Sequence, residues 1–155
     1  MGFSTRETMS GYHDLVDEPG RRPFEFRVEW GPERLRDWLN PTSERFLWQP
    51  LRGEVLVGGL CDWTPCTGTL SLEYFTSRRI RYSFDFEVDG KTYRYGGDKV
   101  GIALWNLPVS HMTCTGAIRE LDTGRLVSTA VCWFKLRDLP KLVASVRWRG
   151  DSAPR

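Results

Sequence analysis

The chain has 155 residues, with 22 basic and 20 acidic side chains and a net charge of +2. That length suits one domain with its own core, and the scattered charges form no basic stripe of the kind that neutralises a phosphate backbone, which excludes nucleic acid as an expected partner. No apolar run approaches the ~20 residues of a spanning helix and the N-terminus lacks the apolar core of a signal peptide, so the chain reads as cytoplasmic, without a membrane span.

Residues 1–23 carry polar and glycine-rich punctuation, Ser10-Gly11 and Glu18-Pro19-Gly20, and read as an N-terminal arm or lid. The pattern then becomes regular. Phe24, Phe26, Val28 and Trp30 alternate with Glu25, Arg27 and Glu29, which predicts a first strand with one apolar face. A short helix is expected next, with Gly31 and Pro32 at its start, Leu35, Trp38 and Leu39 on one side, and Asn40-Pro41 as its stop. It would lie across a sheet or close one end of a barrel.

Further strands are predicted over Glu54–Leu60, Thr69–Phe75, Arg79–Val88, Lys91–Tyr95, Gly101–Trp105, His111–Leu121, Leu126–Leu136 and Val146–Arg149. Short loops bearing Gly, Pro, Asp or Asn separate most of them, a spacing typical of antiparallel sandwiches and barrels. Pro140, Leu142 and Val143 suit a second short helix. The expected fold is all-β, an antiparallel barrel of about eight to nine strands over residues 24–149, with residues 150–155 as a disordered tail.

The strongest local signal is Arg79 to Tyr95. Ile80, Tyr82, Phe84, Phe86 and Val88 alternate with polar residues up to Asp89-Gly90, the signature of a hairpin closed by a type I′ turn. A two-residue turn sets Val88 opposite Lys91, Phe86 opposite Tyr93, Phe84 opposite Tyr95, Asp85 opposite Arg94 and Arg81 opposite Asp98. One face then carries opposite-charge pairs and the other an aromatic ladder, each pair worth ~0.2–1 kcal/mol. The charged face reads as a solvated outer wall. The same parity puts Lys99 on the aromatic face unless Gly96-Gly97 forms a bulge. Held against aromatics it could bind a carboxylate or act as a base; at a barrel rim, the favoured reading, its head would reach water.

Pairing across Asp122 to Arg125 sets Met112, Cys114, Gly116 and Ile118 beside Val127, Thr129, Val131 and Trp133. Neither face of this hairpin is clearly polar, so one is expected against the core and the other beneath a helix, a lid or another subunit, the last making a homodimer a candidate state.

Of the two histidines, His13 and His111, the second is the better candidate acid or base, with a structural hydrogen-bonding role as the bland alternative. Cys61, Cys66, Cys114 and Cys132 read as free thiols, and Cys61 and Cys66 stand too far apart for the usual half of a zinc site, so no metal is expected. No nucleophile elbow, phosphate-binding loop or dinucleotide fingerprint occurs, so no cofactor is expected either. The polar residues that could converge on an apolar interior are Lys99, Glu120 and His111 as catalytic candidates. Tyr82, Phe84, Phe86, Tyr93, Tyr95, Trp105 and Trp133 are the candidate walls of a site for a hydrophobic small molecule.

The pattern as a whole resembles a lipocalin-like, or calycin-like, barrel. More closely, it is similar to the small all-β domain found beside glucose-methanol-choline oxidoreductases and α/β-hydrolases in actinobacteria and myxobacteria. The residues that carry the resemblance are Phe3, Glu7, Met9 and Gly11, then Leu39, Pro41, Gly53, Val55, Gly59, Gly68, Leu70 and Leu72. It continues through Tyr82, Phe84, Gly90, Tyr93, Gly96, Lys99, Leu104 and Trp105. The resemblance implies a hydrophobic ligand such as a lipid, sterol or polyketide, and supplies no agreed catalytic residues. The expected activities are cofactor-free cyclisation or isomerisation of a polyketide-like or terpenoid molecule, or, without catalysis, delivery of such a ligand to a separate oxidoreductase or hydrolase.

Overall fold

The hairpin with the clearest sequence signal forms as its pattern requires. Strands β5 (Arg79–Val88) and β6 (Lys91–Lys99) are joined by Asp89 and Gly90, whose φ angles of 50° and 79° are the left-handed pair that a type I′ turn demands. Every expected pair is present, from Val88 opposite Lys91 to Arg81 opposite Asp98. Arg94 grips Asp85 with two hydrogen bonds of 2.7 and 2.9 Å, and Arg81 reaches Asp98 at 3.2 Å, all on the outer wall. The computed structural model describes residues 1–73, 78–99, 113–134 and 138–150.

Around this hairpin run β1 (Gly2–Leu15), β2 (Arg21–Trp30), β3 (Trp48–Val57), β4 (Cys61–Glu73), β7 (Thr113–Glu120) and β8 (Leu126–Trp133). Each pairs antiparallel with its neighbour in the order β2 to β8, and β1 lies between β8 and β2, which closes an eight-stranded barrel. Strand β9 (Arg147–Arg149) is a ninth, added to the first residues of β1. The fold is all-β as expected. Helices α1 (Leu35–Leu39) and α2 (Leu139–Ala144) are short, and no helix among the described residues is long and apolar enough to cross a membrane.

Four local expectations are corrected. Gly2 to Leu15, read as part of an arm, is the longest stave of the barrel, paired with β2 from Thr5 to Asp14 and with β8 from Ser10 to Leu15. Its inward positions include Glu7, Gly11 and His13, so the apolar alternation that marks a strand is missing there. Strands β3 and β4 begin at Trp48 and Cys61, well before the predicted Glu54 and Thr69, because Pro50, Pro65 and Gly68 are carried within paired strands.

Gly96-Gly97 forms no bulge, and the pairing runs straight on to Ile80 opposite Lys99. The glycines answer a steric need. A Cβ at Gly97 would lie 2.2 Å from the Tyr95 hydroxyl oxygen, and one at Gly116, directly opposite, 2.4 Å from the Gly96 carbonyl oxygen. The bulge is instead in the second hairpin, where the register slips between Ile118 and Arg119. Val127 is the extra residue, so Ile118, Gly116 and Cys114 share a face with Ser128, Ala130 and Cys132, and not with Thr129, Val131 and Trp133 as predicted. One residue of slip moves every later side chain of β8 to the other face.

The barrel interior is packed with rings. Phe24, Phe26, Phe84 and Tyr95 meet with centroids 4.9–5.9 Å apart, and Phe86 stacks on Tyr93 at 5.7 Å. Such pairs add ~0.5–1.5 kcal/mol each beyond their area burial. They form a solid middle floor, which divides the barrel into two ends.

Candidate functional site

At the end beneath α1, four strands converge on one polar cluster. The parity that puts Met9 and His13 inside also puts Glu7 inside, and β2 brings Trp30 beside it. Lys99 Nζ donates to Glu7 Oε1 at 3.3 Å and to the Tyr82 hydroxyl at 3.1 Å. The Tyr82 hydroxyl and Trp30 Nε1 then donate to Glu7 Oε2 at 2.9 and 3.0 Å. Both oxygens of the carboxylate are thus held. Glu7, Lys99 and Tyr82 are 7%, 3% and 1% exposed, so the favoured rim reading of Lys99 is overturned: its head stays inside, paired. A charge this deep persists only when an opposite charge and hydrogen bonds replace its water.

Lys99 Nζ lies 5.2 Å from the Tyr82 ring centroid but 3.1 Å from the hydroxyl, so it meets the ring at its polar edge and not over its face. Burial, reinforced by the charge of Glu7, pushes the Tyr82 phenol well above its ordinary pKa and keeps it a proton donor.

Cys114 and Cys132 adjoin this cluster, opposite one another on β7 and β8. The Tyr95 hydroxyl lies 3.4 Å from Cys114 Sγ and 3.9 Å from Cys132 Sγ. A hydrogen bond from Cys132 pulls the Cys114 thiol below its ordinary pKa despite burial, helped by Tyr95 and the charge of Lys99. The same bond, with burial, pushes Cys132 well up. Cys66, elsewhere in the core, is pushed up to about 12 by burial and by the charge of Glu54.

Helix α1 covers this end. Phe3 touches both Trp38 of the helix and Trp30, at centroid distances of 5.9 and 6.4 Å, and Trp38 Nε1 donates to Gln49 Oε1 at 2.5 Å. Gln49 is fully buried on β3. Among the described residues its Nε2 has no hydrogen-bond partner.

The other sequence candidates separate. Tyr82, Phe84, Phe86, Tyr93 and Tyr95 all point inward as expected, but the last four are floor and core, ring against ring. Glu120 sits at the opposite end, opposite Tyr93 and near Lys91 and Arg125 at 4.0 and 3.7 Å, so it does not join Lys99. Trp133 is on the outer face, 36% exposed and edge-on to Tyr12, because the Val127 bulge turned it outward. His111, Trp105 and the predicted strand Gly101–Trp105 lie outside the described residues, as do residues 151–155 of the predicted tail.

The chain matches no protein-family model, no curated protein and no solved structure. What it can do must be argued from geometry.

Sequence reasoning missed Glu7, Trp30 and Gln49 as site residues. Glu7 stood among the positions of the resemblance, though with no chemistry attached. Alternation places Trp30 on the apolar face of the first predicted strand, with no chemistry attached, and Gln49 gives no signal beyond its residue type. His13, ranked below His111, is also fully buried: its Nε2 lies 2.7 Å from the Gly58 carbonyl and its Nδ1 2.7 Å from the Ser128 hydroxyl. A carbonyl only accepts, so the proton sits on Nε2 and Nδ1 accepts from Ser128. Among the described residues, no three His, Cys, Asp or Glu side chains converge in a metal-binding group. A depression of about 810 Å³ over β1 to β4, bordered by Arg6, Arg27, Arg52 and Glu29, also counts Glu7 of this cluster among its lining residues.

Chemically, the cluster combines a carboxylate, an ammonium and a neutral phenol within one hydrogen-bonded unit, beside a thiol with a lowered pKa. Such a unit can take a proton at Glu7 and stabilise a developing oxyanion with Lys99 and Tyr82.

Proposed function

We propose that the barrel takes a hydrophobic small molecule, a polyketide, terpenoid, sterol or lipid, at the end beneath α1 and acts on it as a cofactor-free cyclase or isomerase. The observation that supports this is the buried Lys99–Glu7–Tyr82 unit at the end of an aromatic interior. An acid and a base set against apolar walls suit a reaction in which orientation does much of the work and one proton is moved. Among the residues read from the sequence, Lys99 is the acid, with Glu7 as its base. The resemblance read from the sequence, to the small all-β domain found beside oxidoreductases and hydrolases, implies the same ligand class.

One observation favours a second reading, that of a carrier that delivers its ligand unchanged. Lys99 and Glu7 are engaged with each other, and a base already holding three donors is a poor one until the ligand displaces them.

The test is incubation with farnesol, cholesterol, oleic acid and an anthrone, followed by native mass spectrometry and chromatography of the released ligand. The enzyme reading expects a one-to-one complex and an altered ligand; the carrier reading expects the complex and an unchanged ligand. Absence of a complex with all four probes overturns both. Conversion at the parental rate by Lys99→Met and Glu7→Gln variants would remove these residues from the mechanism.

A further inference from the structure

Gln49 contains a contradiction that the fold does not resolve. Its side chain is fully buried and its amide nitrogen carries two N–H groups without an acceptor among the described residues. The orientation of the amide is not free to reverse, because Trp38 Nε1 is a donor only and requires the oxygen where it stands. An unmet buried donor costs ~1–3 kcal/mol, and a leucine would fill similar space without that cost. Gln49 belongs to the same end as the Lys99 cluster, through the unbroken run of contacts Gln49–Trp38–Phe3–Trp30–Glu7.

We infer that Gln49 is a ligand-binding residue, and that its amide nitrogen takes the carbonyl oxygen of an uncharged, otherwise apolar molecule such as a ketone, quinone or lactone. This rests on the reading of the barrel as a ligand site and adds the class of group that the ligand carries. Charge decides between a carbonyl and a carboxylate. Lys99 and Glu7 already cancel one another within 3.3 Å, so a carboxylate beside them would bring an uncompensated negative charge into the interior. A neutral acceptor brings none. The surrounding surface is aromatic, with Trp30, Trp38 and Phe3 in edge contact, which suits a flat apolar body.

The test uses isosteric pairs that differ only in the carbonyl: 9-fluorenone against fluorene, and acetophenone against ethylbenzene as a smaller pair. Binding is read by titration calorimetry, and the Gln49 side-chain amide by ¹⁵N–¹H correlation spectra of the parental protein. The parental protein is expected to bind a ketone about tenfold tighter than its hydrocarbon, the factor that one hydrogen bond contributes, with the Gln49 amide resonances shifting on addition of ketone alone. A Gln49→Leu/Trp38→Phe variant, which removes donor and acceptor together and leaves neither orphaned, is expected to bind both members of a pair equally. Equal binding of ketone and hydrocarbon by the parental protein, or a ketone preference that survives in the variant, overturns the role of Gln49 while the ligand site stands. If no probe of either size binds, the ligand site itself falls and this inference with it.

Discussion

The two ends of the barrel use the same residue types to opposite effect. Beneath α1, Lys99 and Glu7 meet at 3.3 Å in the interior, each side chain less than a tenth exposed. At the other end Glu120 draws Lys91 and Arg125 to 4.0 and 3.7 Å, but those two side chains are 59% and 56% exposed. Lys91 and Lys99 are the two ends of one strand, about 25 Å apart at the rise of a β-strand. The contrast teaches that burial, not pairing, makes one ion pair a candidate for chemistry: desolvated charges respond to a ligand, whereas wet ones respond to salt.

The sharpest way to break that contrast is Lys99→Met. It leaves Glu7 charged and unpaired inside, for an expected loss of ~3–5 kcal/mol in urea unfolding. A Glu7→Gln/Lys99→Met double variant recovers most of it. A loss below ~1 kcal/mol for the single variant would mean that water reaches the pair, and the two ends would then be alike.

The floor between the ends comes next. Gly116→Ala drives a Cβ to 2.4 Å from the Gly96 carbonyl oxygen and 2.7 Å from the Tyr95 ring, with an expected loss of ~1–3 kcal/mol. An unchanged melting temperature would show a floor loose enough to connect the ends.

His13, on the Glu120 side of that floor, ties stability to pH. Burial holds its pKa below the ordinary 6.5, against the Gly58 hydrogen bond and with the charge of Arg22. The unfolded chain therefore takes the proton first as pH falls. Its contribution is intact above about pH 7 and drains away through 6.5 towards the lower folded value. Unfolding measured at pH 7.5 and 5.5 is expected to show this loss in the parental protein and a smaller one in His13→Gln. Equal losses would assign the dependence to other groups.

The smallest effect is expected at Glu120. Glu120→Gln removes pairs with solvent-exposed partners, worth ~0–1 kcal/mol and less in 1 M salt. A loss comparable to that of Lys99→Met would make the two ends equivalent and reopen Glu120 as a site residue.

Much of the fold was legible because the residues concerned have a dominant local reason for their structure. The β5–β6 hairpin combines a strict period of two with the dipeptide that a type I′ turn prefers, so its register, its outer charge pairs and its aromatic face all followed. The candidate site was legible in part. Tyr82 and Lys99 lay on that well-read hairpin, but their partner Glu7 is 92 positions from Lys99 and sits in a stave where Glu7, Gly11 and His13 leave Met9 without an apolar alternation around it. Trp133 was misplaced for another reason: the extra residue at Val127 changes no composition, yet inverts every position after it.

By itself the sequence determined an all-β chain, its turns, and which face of each strongly alternating strand is apolar, since these follow from side-chain period and backbone preference between near neighbours. Only the closed barrel decided that β1 is a stave, that the lysine beyond Gly96-Gly97 stays inside, and that Gln49 has a donor unmet among the described residues. Those outcomes depend on what lies across the interior. No local pattern encodes the width of a barrel or the side chain that waits on its far wall.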